Sequence, residues 1–381
     1  MFSSSQLFPT RRSDFREGNF MDRSLFGSSV IDRWRLLDGG LSRRALVQSL
    51  AAGGLAAGSS GFLRLAPAVA AKEAVPSAAH RINVGEIDVL VLDDGTFEGP
   101  GNFFAVNAPP AALSDVLGPH KPKPTDTKQV AIHPLLVETG GQRVLLDTGY
   151  GALQPGAGKL LATLEAVGIA PEEIDAVLLT HMHPDHCGAV VDDRGGLVFP
   201  NARHFVNGVE YEYWWAEPSL DELTIPNEFK QFIRQVAKGV LTVLQGRIEQ
   251  IAPGEEIAPG VTTVDARGHS PGHLAVEIAS DGESLLHIVD AAHEPAIHLE
   301  HPDWFAAVDN WPAWTVATRN ALFDRAADEN VLVSTTHFPF PGVGRVTKDK
   351  IGWVWTDDRG EKPKHKTGKQ GKKDNHGNQG N

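Results

Sequence analysis

The run Thr180-His181-Met182-His183-Pro184-Asp185-His186-Cys187-Gly188 places three histidines and one aspartate within six positions. Neutral imidazole and carboxylate are the ligands that borderline divalent metals such as zinc prefer. The run follows Ala176-Val177-Leu178-Leu179, whose unbroken apolar character predicts a buried strand ending where the histidines begin. Two positions apart on extended backbone, His181 and His183 can point the same way, and Asp185 and His186 follow where the chain turns. The alternative is a surface loop that happens to hold histidines. It is decided by whether ligands recur elsewhere in the chain.

They do recur. Val261 to Val264 leads into Gly268-His269-Ser270-Pro271-Gly272-His273, Leu285 to Val289 leads to Asp290, and Val331 to Ser334 leads to His337. The carboxyl ends of strands are where sheets covered by helices place their sites. Five histidines and two aspartates are enough for two metal ions with a carboxylate between them. His273 reads either as a group standing behind the ligands or as a structural hydrogen bond. Cys187 is the only cysteine, which excludes an intramolecular disulfide. It reads as a small buried side chain packed under the loop rather than as a thiolate ligand.

The elements that must position these residues begin near His80. Ile82 to Leu92 alternates as strands do, and Leu135 to Leu146 predicts a hairpin through Gly140-Gly141 that ends in Asp147-Thr148-Gly149. Residues 98–128 are a loop rich in Pro, Gly and Asn that carries Phe103 and Phe104. Lys159 to Val167 predicts a short amphipathic helix stopped by Gly168. Gly195 to Phe199 and Arg203 to Val206 predict further strands. Tyr211, Tyr213, Trp214 and Trp215 then cluster ahead of a helix over Asn227–Leu244. Another helix is expected over Pro312–Ala327, with Asn310 and Pro312 as its start signals.

Three segments follow from this pass: an N-terminal extension with an export signal over 1–71, a catalytic domain over 80–356, and a disordered tail over 357–381. In the first, Arg43-Arg44, a mildly apolar Ala/Gly stretch and Ala68-Val69-Ala70 have the order of a twin-arginine signal with its cleavage site. Export by the twin-arginine machinery and a periplasmic location are therefore expected, with Met1 or Met21 as the start. The tail is rich in Lys, Gly and Asn and has no apolar face.

Net charge is −13 and unevenly spread. Residues 1–71 carry nine Arg against five acids and the tail seven basic against four acidic residues, so the middle is close to −20. That excludes nucleic acid as a partner, since phosphate binding needs concentrated Lys and Arg. No apolar run is long enough for stable membrane insertion. A homodimer is compatible with the sequence.

The pattern resembles the metallo-β-lactamase fold superfamily, and within it the branch of methyl parathion hydrolase and dinuclear lactonases. The resemblance is carried by Thr180 to His186, Phe199-Pro200-Asn201-Ala202, Gly268 to His273, and His337-Phe338-Pro339-Phe340-Pro341-Gly342-Val343-Gly344, and it extends over residues 81–356. It implies an α+β fold, the αββα sandwich. It implies that His181, His183 and His269 bind one metal, that Asp185, His186 and His337 bind the other, that Asp290 bridges, and that Asp147 stands behind the ligands. Two positions depart from the family pattern. The bridging aspartate is commonly preceded by Gly and here follows Val289, and Cys187 stands where the branch often has an aliphatic residue.

Two cations sharing an oxygen lower the pKa of bridging water towards neutrality. The expected activity is that of a hydrolase using a bridging hydroxide, with Asp185 and Asp290 relaying the proton. Zinc is the expected metal; Mn, Co and Fe accept the same ligands. Trp214 lies where the branch carries a pocket-lining tryptophan, and Phe103, Phe104 and Phe232 either complete an apolar wall or pack the insertion onto the sandwich. An apolar pocket in an acidic domain suits a small, neutral, hydrophobic lactone or aryl ester. Organophosphate triester hydrolysis is the alternative, and a metal-binding or di-iron redox protein without hydrolytic turnover is the reading from a different class.

Overall fold

Strand residues that alternate between two apolar faces need a covering layer on each. In the computed structural model, which describes residues 78–117, 127–154, 156–350 and 352–358, those layers are two sheets and the helices outside them. The first sheet has the order β1-β2-β5-β6-β7-β8-β9. Its strands are β1 (Ala79–Val84), β2 (Ile87–Leu92), β5 (Leu135–Thr139), β6 (Gln142–Leu146), β7 (Ala176–Leu179), β8 (Arg203–Asn207) and β9 (Ile248–Ile251). The second runs β10 (Glu256–Ala258), β11 (Val261–Asp265), β12 (Leu274–Ser280), β13 (Glu283–His287), β14 (Leu332–Ser334), β15 (Val343–Lys348) and β16 (Trp353–Asp357). A separate hairpin pairs β3 (Gly95–Pro100) with β4 (Thr127–Ile132).

The layering is written in residue parity. Val89, Val91, Val144, Leu146, Ala176 and Leu178 face Leu274, Val276, Ile278 and Leu285 across the space between the sheets. Their neighbours Leu90, Leu92, Leu145, Val177 and Leu179 pack outward with Leu160 and Leu164 and with Val236 and Val240, which belong to the helices Leu160–Ala166 and Asn227–Val243. On the other side Ala275, Leu286 and Val333 pack with Leu322, Phe323 and Ala326 of the helix Pro312–Glu329. This is the αββα order. Burying each such Val or Leu contributes roughly 1.5–3 kcal/mol, so a one-residue slip of any central strand would be costly. Strands β6 to β9 run parallel, as do β13 and β14, and helices cover the crossovers.

Local expectations need four corrections. The stretch 98–128, expected as loop, holds the helix Pro110–Leu117 and the paired ends of β3 and β4. Gly195 to Phe199 forms no strand. Only an isolated bridge joins Val191 to Leu197, because Asp192 folds the segment back by accepting the N–H groups of Arg194 and Gly196. Strand β13 stops at His287, and Asp290 sits on a single 3₁₀ turn over Val289–Ala291. Asn310 does not cap the following helix; its amide donates to the Tyr213 hydroxyl and to Glu222 instead.

Segments 1–77 and 359–381, with the export signal and nearly all of the basic tail, lie outside the described residues. No helix among the described residues is long and apolar enough to cross a membrane.

Candidate metal centre

The four strand ends converge. Every position of β7 is buried, and the chain leaves it through Thr180 into the one-turn helix Pro184–Cys187. His269 arrives four residues after β11, Asp290 three after β13, and His337 three after β14. All seven expected ligands are buried. Their ligand atoms fall into close groups: His181, His183 and His269; Asp185, His186 and His337; and His181, His186 and Asp290.

Asp290 is the centre. Around its Oδ2 stand the Nε2 atoms of His269 and His337 at 3.2 Å, His293 at 3.3 Å, His186 at 3.4 Å and His181 at 3.8 Å. Asp185 Oδ2 lies 3.4 Å from His337 Nε2 and 3.6 Å from His186 Nε2. Among the described residues, Nε2 of His181, His183 and His186 and Oδ1 of Asp290 are buried and have no hydrogen-bond partner. Buried polar atoms without partners cost free energy unless something satisfies them. Converging imidazole and carboxylate lone pairs fit a pair of divalent cations.

The electrostatics agree with a shared site. Burial pushes His181 and His183 well below the usual histidine range, helped by neighbouring imidazoles. Burial also opposes charge on His186, but Asp290, Asp185 and Asp147 outweigh it and hold that histidine well above its ordinary value. Burial would raise Asp290, yet His186, His337 and His293 keep it well below the ordinary carboxylate range. Asp290 is thus ionised and ready to ligate.

Residues behind the ligands fix their orientation. Asp147 accepts from the Thr180 N–H and hydroxyl and from His186 Nδ1, each at 2.8 Å. His337 Nδ1 donates to the Ala131 carbonyl at 2.7 Å, and His269 Nδ1 to Asp309 Oδ1 at 2.7 Å. These bonds choose which ring nitrogen faces the centre. His273 donates from Nδ1 to the Ala266 carbonyl at 2.8 Å and accepts the Asp290 N–H at 3.4 Å, so it shapes the backbone that carries Asp290. Arg319, fully buried, donates to the carbonyls of Ala291, Pro302 and Trp304 and fastens the segment that follows Asp290. The Cys187 thiol is buried and donates to the Met182 carbonyl at 3.4 Å, and burial pushes its pKa up, away from a thiolate.

Aromatic side chains wall the cluster. Trp214 presents an edge to His183 at 5.9 Å, and Phe104 stacks on His293 at 4.7 Å and on His337 at 6.4 Å. Phe103 meets Phe104 edge-on, and Phe232 stacks on Phe229 within the same apolar core.

Sequence reasoning passed over His293, Asp309 and Glu210. His293 had a signal, a histidine three residues beyond Asp290 on the same strand end. Its ring stacks on Phe104 at 4.7 Å and on His337 at 5.3 Å, its ligand atom falls into a close group with those of His269 and Asp290, and neither ring nitrogen has a hydrogen-bond partner among the described residues.

Residues 129–345 match the family described as the Metallo-beta-lactamase superfamily. A probable metallo-hydrolase of Mycobacterium tuberculosis is 29% identical over 184 residues, covering 42% of this chain and 56% of that protein. An N-acyl homoserine lactonase of Bacillus cereus is 27% identical over 154 residues, 40% of this chain and 52% of the lactonase. The chain thus spans about half the length of the curated relatives it matches. Among solved structures, AidC, described as a dizinc quorum-quenching lactonase in complex with a product, superposes with a TM-score of 0.69 at 29% identity over 74% of this chain and 97% of AidC. AbOPH, a hydrolase of the beta lactamase superfamily, superposes with a TM-score of 0.66 at 26% identity over 74% of this chain and 97% of AbOPH.

Proposed function

The chain belongs to the metallo-beta-lactamase superfamily, and on that premise we propose that it is a dinuclear metal-dependent hydrolase that opens lactones, N-acyl homoserine lactones first among them, and cleaves neutral aryl esters. The observation that carries this reading is the convergence of five imidazole nitrogens on Asp290 Oδ2. His181, His183 and His269 would hold one cation and Asp185, His186 and His337 the other, with Asp290 available to both. Zinc suits these nitrogen and oxygen ligands, as do manganese, cobalt and iron. When bound, two such cations supply Lewis acidity for the scissile carbonyl and a hydroxide nucleophile near neutral pH.

The chain's own residues do the rest. His183, Asp185 and His337 keep 4, 8 and 5% of their surface exposed, which marks the side from which substrate enters. Trp214 and Phe104 hold the acyl part against an apolar wall and exclude water. With the cations bound, Asp185 and Asp290 would relay the nucleophile's proton to the departing oxygen. Burial holds His293 down to about 4, so its ring is neutral and offers one N–H to a substrate oxygen.

The Arg43-Arg44 signal supports export by the twin-arginine machinery to the periplasm, the route taken by proteins that fold and load metal before crossing. The test of the function is kcat/KM for the metal-replete protein over N-acyl homoserine lactones, aryl esters and phosphotriesters. Lactones should lead. Preference for phosphotriesters would move the assignment to that class, and a protein that binds two ions and turns over none of the three would overturn it.

A further inference from the structure

Glu210 is a fully buried carboxylate outside the ligand set. It sits on the helix Gly208–Trp215, which begins where the Asn207 side chain accepts the Val209 N–H at 3.0 Å. A carboxylate so placed needs donors on every side, and Glu210 has four. Oε1 accepts from the Met182 N–H at 3.0 Å and from Trp214 Nε1 at 2.6 Å; Oε2 accepts from the Ser270 hydroxyl at 2.7 Å and from the Gly272 N–H at 2.8 Å.

Each donor belongs to a working segment. Met182 lies between His181 and His183, Ser270 follows His269, and Trp214 is the ring that meets His183 edge-on. The His269 loop is also pressed onto this helix, since a Cβ on Gly272 would collide with the backbone of Glu210.

We propose that Glu210 is the positioning residue that sets the His181/His183 loop against the His269 loop, and that it thereby fixes the affinity of one cation together with the placement of the Trp214 wall. The inference rests on the assignment of His181, His183 and His269 to one cation. It explains why an acid stands here. Four donors on two oxygens fill the acceptor capacity of both, whereas an amide has one acceptor oxygen and would turn N–H groups towards donors. Residues that orient metal ligands typically change metal affinity 10- to 100-fold when altered.

Glu210→Gln keeps the size and shape of the side chain, which makes it the sharpest variant. Full-length wild type and E210Q are titrated with zinc against a chromophoric chelator, with thermal melting followed in parallel. Two ions should bind to the wild type. In E210Q one stepwise constant should weaken by about 10- to 100-fold while the other changes little, and raised zinc should restore part of the lost turnover. A role limited to packing would lower the melting temperature and leave both constants alone; that result, or E210Q binding both ions as the wild type does, overturns the proposal. If E210Q does not fold, Ser270→Ala removes one donor and leaves the carboxylate in place: a smaller loss at one ion supports the proposal, and unchanged constants overturn it. A wild type that binds fewer than two ions would remove the ligand assignment itself, and Glu210's role with it.

Discussion

His269 and Asp309 are joined by a 2.7 Å hydrogen bond between fully buried atoms, and the second oxygen of Asp309 accepts the Ala306 N–H at 2.9 Å. The carboxylate therefore orients the imidazole and is itself held. His186 and Asp147 repeat the arrangement at 2.8 Å on the other side of the cluster. Asp309→Asn should weaken binding of one zinc ion by about 10- to 100-fold, read by titration against a chelator. Unchanged binding would mean that packing alone fixes the His269 ring.

His293→Leu separates ligation from substrate contact. Its ring stacks on both Phe104 and His337, and leucine keeps an apolar side chain there while removing both ring nitrogens. Two zinc ions per chain should still bind, while kcat/KM for lactones falls by roughly 100- to 1,000-fold, the size of a lost hydrogen bond to a group that develops charge. Retained kcat/KM would leave His293 with a packing role only.

Val289 adopts φ of 50° and is fully buried. A β-branched residue in the left-handed region is strained. Val289→Gly and Val289→Ala both lose the buried isopropyl group, but only glycine sheds the backbone strain. The glycine variant should be the more stable of the two by about 1 kcal/mol, against the usual order in which glycine is worse. Chemical denaturation of both variants decides it.

His204 is a buried histidine of β8 away from the metal ligands, and burial lowers its pKa to about 4 against an ordinary 6.5. Between those values the unfolded chain binds a proton that the folded chain refuses, so acidification favours unfolding. The contribution is present above 6.5 and is lost as pH falls towards 4. Replacing His204 with Phe should flatten the stability–pH slope in that window by up to about 1.4 kcal/mol per pH unit. A slope equal to that of the wild type would show that His204 takes up its proton in the folded protein.

The convergence of the candidate ligands was legible because imidazoles at strand ends are scarce and carry their own mark, and the sandwich was legible because residue parity in β2, β6, β7 and β12 divides so cleanly. Asp309 and Glu210 were not. The chain has 48 acidic residues, and nothing local distinguishes the two that meet histidine or backbone donors brought from 40 and 28 positions away. Glu210 gains its role only when the loop after β7 of the first sheet meets the loop after β11 of the second, and Asp309 only when the segment after β13 meets that same loop. The strand expected at Gly195 to Phe199 failed for the opposite reason: Asp192 bends that run locally, against its apolar pattern.

The ligands divide between the sheets, with His181, His183, Asp185 and His186 after β7 of the first and His269, Asp290 and His337 after strands of the second. In order of synthesis, the ribosome delivers four of them early and His337 almost last. Neither of the two expected ligand sets is complete until the second sheet has been made and docked. Tight occupancy by two ions would therefore certify that synthesis had passed His337, which a product truncated before β14 lacks.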